Sequence, residues 1–92
     1  MMKSINKIYL LKSYTIKSLI YRVLLNPEPE CGFTSTVPSL PGCITYGETV
    51  DKAMLMVREA IELYVESLVA HNEKVPDETD TLEYAVTIPV TK

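Results

Sequence analysis

Apolar and polar positions along the chain change period several times, and each change marks an element. Residues 19–25 (LIYRVLL) are rich in branched and aromatic side chains and read as a buried strand. Residues 26–30 (NPEPE) cannot continue it, because two prolines remove backbone donors, and Gly32 closes that loop. Residues 33–37 (FTSTV) read as a second strand, and the short connection makes the pair a hairpin. Residues 39–42 (SLPG) form a tight turn: Pro41 fixes φ and Gly42 permits a positive one. Residues 43–46 (CITY) make a short third strand, stopped by Gly47. The strongest pattern follows. Val50, Ala53, Met54, Val57, Ile61, Tyr64 and Leu68 recur mostly at spacings of three and four, an apolar stripe over about five helical turns. Thr49 is placed to cap that helix and Asp51 to favour its dipole, although Lys52 stands where a capping box would have Glu. The helix is expected to end near His71 and Asn72, before a polar loop over residues 73–81 that contains Pro76. Residues 83–90 (EYAVTIPV) then alternate Tyr84, Val86, Ile88 and Val90 against Ala85 and Thr87, the signature of a half-buried strand, with Pro89 suiting an edge or a strand end. Residues 1–18 show no clean period and read equally as an arm, a short helix or an extra strand.

The order β-β-β-α-β predicts an α+β fold, a two-layer sandwich in which one long helix covers one face of a four-stranded sheet. A chain of 92 residues allows one small domain, here residues 19–92 behind a basic N-terminal extension of residues 1–18. Both faces of the first strand are largely apolar, which argues for burial on both sides by the N-terminal segment or by dimerisation. Small size adds to the expectation of a homodimer or higher oligomer. Met56 and Leu63 lie off the main helix stripe and are candidates for exposed apolar contact.

Composition narrows the function classes. The longest uninterrupted apolar run, residues 53–57, is too short to span a membrane. Lys3, Lys7, Lys12 and Lys17 interrupt any signal-peptide core, so a cytoplasmic location is expected. The net charge of −3 does not suggest general affinity for nucleic acid. It is unevenly spread: residues 1–25 carry five positive charges and no acid, whereas residues 26–92 carry four positive and twelve negative charges, a balance of −8. An acidic body of this kind suits a basic partner. Cys31 and Cys43 read as two free, largely buried thiols, and with His71 as the single histidine there is no zinc-ligand spacing. No catalytic, cofactor-binding or metal-binding residue is expected.

The stretch from Tyr21 to Pro76 resembles the HicB family of antitoxins. The residues that carry the resemblance are Gly32-Phe33, then Val37-Pro38-Ser39-Leu40-Pro41-Gly42-Cys43, then Gly47-Glu48-Thr49. After these come Ala53, the helical run Glu59-Ala60-Ile61-Glu62-Leu63-Tyr64, and the closing Asn72-Glu73-Lys74-Val75-Pro76. The resemblance implies a partial ribonuclease-H-like β-β-β-α-β domain. It implies a partner too, a HicA-type toxin: a small mRNA-cleaving ribonuclease with a double-stranded-RNA-binding-like fold, silenced by masking its catalytic histidine and its RNA-binding face. Such a face is basic. Glu59, Glu62 and Glu66 on the polar side of the helix, and Glu28 and Glu30 in the hairpin loop, are the candidate partner contacts. The chain departs from the family pattern twice. Many members carry a C-terminal DNA-binding module, but only twelve residues follow Asp80, and they read as the last strand, so specific DNA binding by this chain is not expected. The basic extension has no counterpart in the family core.

Two rival readings remain. A degenerate ribonuclease H needs clustered carboxylates to hold two magnesium ions. The three expected strands before the helix contain no acid at all, so nuclease activity is not expected. The other rival is a stand-alone oligomeric module that binds another protein or a ligand and has no toxin partner.

Overall fold

The computed structural model describes residues 18–91 of the 92. The N-terminal basic extension lies outside the described residues except for Ser18. Three antiparallel strands, β1 (Leu24–Pro27), β2 (Phe33–Thr36) and β3 (Ile44–Gly47), form a sheet in the order β1-β2-β3, and a single helix α1 (Val50–Ala70) follows. The fold is α+β, with α1 packed on one face of the sheet against β3 and β2.

The β1–β2 hairpin pairs Leu24 with Thr36 and Pro27 with Phe33, and Glu28 N–H closes the loop onto the Gly32 carbonyl at 2.9 Å. The strand therefore runs into Asn26 and Pro27, which the sequence reading assigned to the loop. Pro27 is tolerated because it ends a strand whose outer side pairs with no other among the described residues, so no ladder bond needs its missing N–H. The Leu40–Cys43 turn has Pro41 second and Gly42 third. Cys43 N–H donates to the Leu40 carbonyl at 2.9 Å, and Gly42 sits at φ 85°, the left-handed geometry that such a turn demands.

Opposed residues in the register share a face. Leu25, Ser35 and Thr45 face the helix, as do Phe33 and Gly47; Leu24, Thr36, Ile44, Thr34 and Tyr46 face away. Under the helix, Val37, Leu40, Cys43, Val57 and Val65 form the buried cluster, flanked by half-buried Leu19, Tyr21, Val23, Ile61, Tyr64 and Leu68. Gly47 is needed where β3 meets the helix: a Cβ there would lie 2.3 Å from the Ala53 nitrogen. Thr49 caps α1 as expected, its hydroxyl accepting from Lys52 N–H at 3.1 Å. At the other end His71 is the cap residue. Asn72 adopts φ 58°, and the N–H groups of Asn72 and Glu73 reach back to the carbonyls of Val69 and Leu68, a Schellman ending.

The expected final strand is corrected. Residues 83–90 pair with no strand among the described residues, so the fold there is β-β-β-α, without the closing β of a sandwich. Leu82, Tyr84, Val86, Ile88 and Val90 are 70–82% exposed. The chain turns at residues 78–81, where Thr81 N–H donates to the Glu78 carbonyl at 3.0 Å, and the segment beyond makes no ladder with the described residues. The first expected strand shifts as well. Residues 19–23 lie outside the sheet because backbone groups there are taken by polar partners, Ile20 N–H by Asp77 Oδ1 at 3.2 Å and Arg22 N–H by Glu78 Oε1 at 2.8 Å.

Candidate functional site

The acidic residues singled out in the sequence fall into two groups. Glu59, Glu62 and Glu66 follow one another at helical spacing on α1, away from the buried positions Ala53, Val57 and Val65. Glu59 and Glu62 are exposed, and Glu62 makes a long i, i+4 ion pair with Arg58 at 3.9 Å. Such a pair, open to water, leaves the carboxylate available to a partner. Glu66 is half-buried, so that part of the face is less open than the sequence pattern implied. Glu28 and Glu30 are exposed in the β1–β2 loop, where Glu28 accepts a hydrogen bond from the Thr34 hydroxyl. The helix trio forms one row; the two loop residues belong to the far end of the hairpin.

Beside the acidic row runs a groove of about 710 Å³ between α1 and residues 19–23. Leu19, Tyr21, Val23, Leu55 and Ile61 make its apolar lining, and Asp51, Arg58 and Glu62 stand on the helix side. Leu55 is 58% exposed. Met56 and Leu63 are exposed too, as their position off the stripe implied. The helix therefore offers carboxylates next to unpartnered apolar side chains, a combination that suits protein recognition: charge guides encounter and apolar burial holds the complex.

A polar knot that the sequence did not reveal fixes the chain at the edge of this groove. Glu78 is buried. Its carboxylate accepts from Arg22 N–H and from the Ser39 hydroxyl, and pairs with the Arg22 guanidinium at 3.2 Å. Arg22 also donates to the Thr81 carbonyl and stands 3.4 Å from a Glu83 carboxylate oxygen. Tyr21 Oη donates to the Pro76 carbonyl at 2.5 Å, and Glu78 N–H to the Ile20 carbonyl at 3.0 Å. Nothing in the period of residues 73–81 marks one acid of that polar run as buried; its partner Arg22, a lone charge in an apolar run, was the available signal.

The thiols differ. Cys43 is buried, and burial pushes its thiol pKa up. Cys31 is exposed, which corrects the expectation of two buried thiols. It lies in the hairpin loop with Sγ 3.8 Å from Tyr46 Oη, and the Tyr46 phenol is raised first by that hydrogen bond, then by burial and by the charges of Cys31, Glu48 and Glu28. Among the described residues no three His, Cys, Asp or Glu side chains gather as a metal site, and no helix is long and apolar enough to cross a membrane.

Sequence comparison gives the chain a family. The UPF0150 protein Ta0767 of Thermoplasma acidophilum is 43% identical over 56 residues, covering 61% of this chain and 81% of that protein. The UPF0150 protein ssr1765 of Synechocystis is 45% identical over 58 residues, covering 63% of this chain and 73% of its own length. Antitoxin HicB 1 of Photorhabdus laumondii is 33% identical over 63 residues, 68% of this chain but 41% of that protein. Residues 21–90, which hold the sheet, the helix and most of the groove and the polar knot, match the family described as HicB_like antitoxin of bacterial toxin-antitoxin system, and the chain belongs to that family.

Proposed function

We propose that this chain is an antitoxin that captures a small, basic, mRNA-cleaving toxin of the HicA type, acting by binding and not by catalysis. The observation that carries the reading is the family match over residues 21–90, which takes in all three strands and the helix. The charge distribution supports it: the body from residue 26 onward carries −8, and the acidic row on α1 borders exposed apolar side chains. A ribonuclease that grips RNA presents a basic face, and an acidic surface competes for it. The work is done in the cytoplasm, where mRNA is found, by a chain that self-associates. Glu59, Glu62 and Glu66 make the encounter, with Glu28 and Glu30 as further contacts.

The test is a search beside its gene for a small basic reading frame, co-expression of the intact chain with that frame, and then affinity capture and growth measurement. The expected result is a complex of the two chains and rescue from growth arrest. No complex and no rescue would overturn the antitoxin reading and leave the stand-alone oligomeric module in its place.

A further inference from the structure

We propose that residues 82–90 are a strand-exchange arm: each copy of the chain lays this segment into the groove between α1 and residues 19–23 of a second copy, and receives the partner's arm in return. The proposal deepens the self-association reading above; its groove shares Glu62 with the acidic row, and it is tested without the toxin.

Four observations carry it. The arm has strand chemistry without a strand partner among the described residues. Tyr84, Val86, Ile88 and Val90 alternate along it, and all are at least 70% exposed. An extended apolar segment left this open is a template for pairing with another chain. Second, every copy holds a matching receptor. The groove is lined with apolar side chains from both walls, and among the described residues no strand pairs with the outer edge of β1 beside it. Third, the lengths agree. The helix wall runs from Asp51 to Val65, which at 1.5 Å per residue is about 21 Å. The seven residues from Tyr84 to Val90 span six steps, about 20 Å at 3.3 Å each. Fourth, the root of the arm is anchored. Arg22 holds the Thr81 carbonyl and faces Glu83, and Glu78 is tied to Ile20, Arg22 and Ser39, so the arm departs from a fixed point next to its own groove.

A second copy is the occupant that these facts favour. It brings one arm and one groove, so a two-fold arrangement fills both grooves and leaves no arm free, a closed isologous contact. The area suffices. A stable interface needs about 800 Å² on each side. One tyrosine supplies about 150–250 Å², four large aliphatic side chains add to it, and the groove of the same copy contributes its own lining. Pro89 fits an arm that pairs along one side only.

The experiment uses the full chain and two variants, V86D/I88D in the arm and L55E in the groove, with mass measured by light scattering at tens of micromolar. The parent is expected at twice the chain mass and both variants at once the chain mass, with helical circular dichroism unchanged. A parent that is a monomer overturns the exchange and self-association together. A parent dimer whose arm variant stays dimeric overturns the exchange and leaves self-association standing by another surface. A dimer lost with the arm variant but kept with L55E overturns the groove as receptor. Hydrogen exchange on the unaltered parent keeps the proposal testable if a variant does not fold. Amides of residues 84–88 and of Val90 are expected to be protected in the dimer and to lose that protection on dilution. Protection that ignores concentration means that the arm closes on its own chain, and no protection at any concentration means that it docks nowhere; either overturns the proposal.

Discussion

Replacing Gly47 by alanine tests how the sheet is joined to the helix. The added Cβ would lie 2.3 Å from the Ala53 nitrogen, 2.4 Å from its Cα and 2.8 Å from the Lys52 carbonyl carbon. Carbon atoms pack best at about 3.5–4.0 Å, so α1 has to retreat by roughly 1 Å or more. The obstacle is backbone in the first turn, and no side-chain rotation relieves it. Retreat loosens Ala53 and Val57 from the sheet, and both are fully buried. Overpacking of this kind costs about 1–3 kcal/mol, occasionally more, and each methylene equivalent that loses its burial adds about 0.8 kcal/mol. We expect a total loss of about 3–5 kcal/mol, a large part of the roughly 5–14 kcal/mol that a chain of this size holds. The thermal midpoint falls by roughly 12–40 °C at about 4–8 °C per kcal/mol. The control is Gly42→Ala. Gly42 sits at φ 85° with no atom within 4 Å of an added Cβ, so only the left-handed backbone penalty of about 1–2 kcal/mol applies. Urea titration followed by circular dichroism measures both. A Gly47→Ala protein within about 1 kcal/mol of the parent, or no weaker than Gly42→Ala, refutes the close-approach argument.

Three further outcomes follow from the same structure. Glu78→Ala removes the acceptor for Arg22 N–H and the Ser39 hydroxyl together with the Arg22 ion pair, and is expected to cost about 2–4 kcal/mol in urea unfolding; a loss below about 0.5 kcal/mol would show that the knot contributes nothing. In the native protein one thiol, Cys31, is expected to react rapidly with a disulfide reagent near neutral pH. Cys43 waits for unfolding, because it is buried and its raised pKa leaves less thiolate at a given pH; two thiols reacting at one rate contradict this. Changing Glu59, Glu62 and Glu66 together to glutamine is expected to slow association with the toxin several-fold at low salt, with a smaller effect on dissociation; association identical to the parent across a salt series removes the helix face from the interface.

The helix was the most legible element in the sequence, because its stripe, its Thr49 cap and its stop at His71 all act within a few residues of chain. The Leu40–Cys43 turn was equally plain, since Pro41 fixes φ and Gly42 permits the left-handed geometry that follows it. Partner choice was not legible. Alternation in residues 83–90 records an extended chain with one apolar side, but the ladder it joins is set elsewhere, and within the described residues it joins none. Residues 19–23 have strand composition, yet Asp77 and Glu78 take the backbone groups that a strand would use, which moves β1 to Leu24–Pro27. The stripe also included Val50 and Met54, which are exposed, and omitted Val65, which is buried, because the sheet meets the helix off the centre of its apolar arc. Among the candidate contacts, the spacing of Glu59, Glu62 and Glu66 placed them in a row. The groove beside them was not readable, because it is built by residues 19–23, far away in the chain.

The most direct test of the central claim is titration of the purified toxin candidate with this chain while RNA cleavage is followed. The account predicts that cleavage falls linearly and stops near one equivalent of the chain, and that raising the salt slows the onset of inhibition. Cleavage that continues unchanged in large excess of folded chain would contradict it.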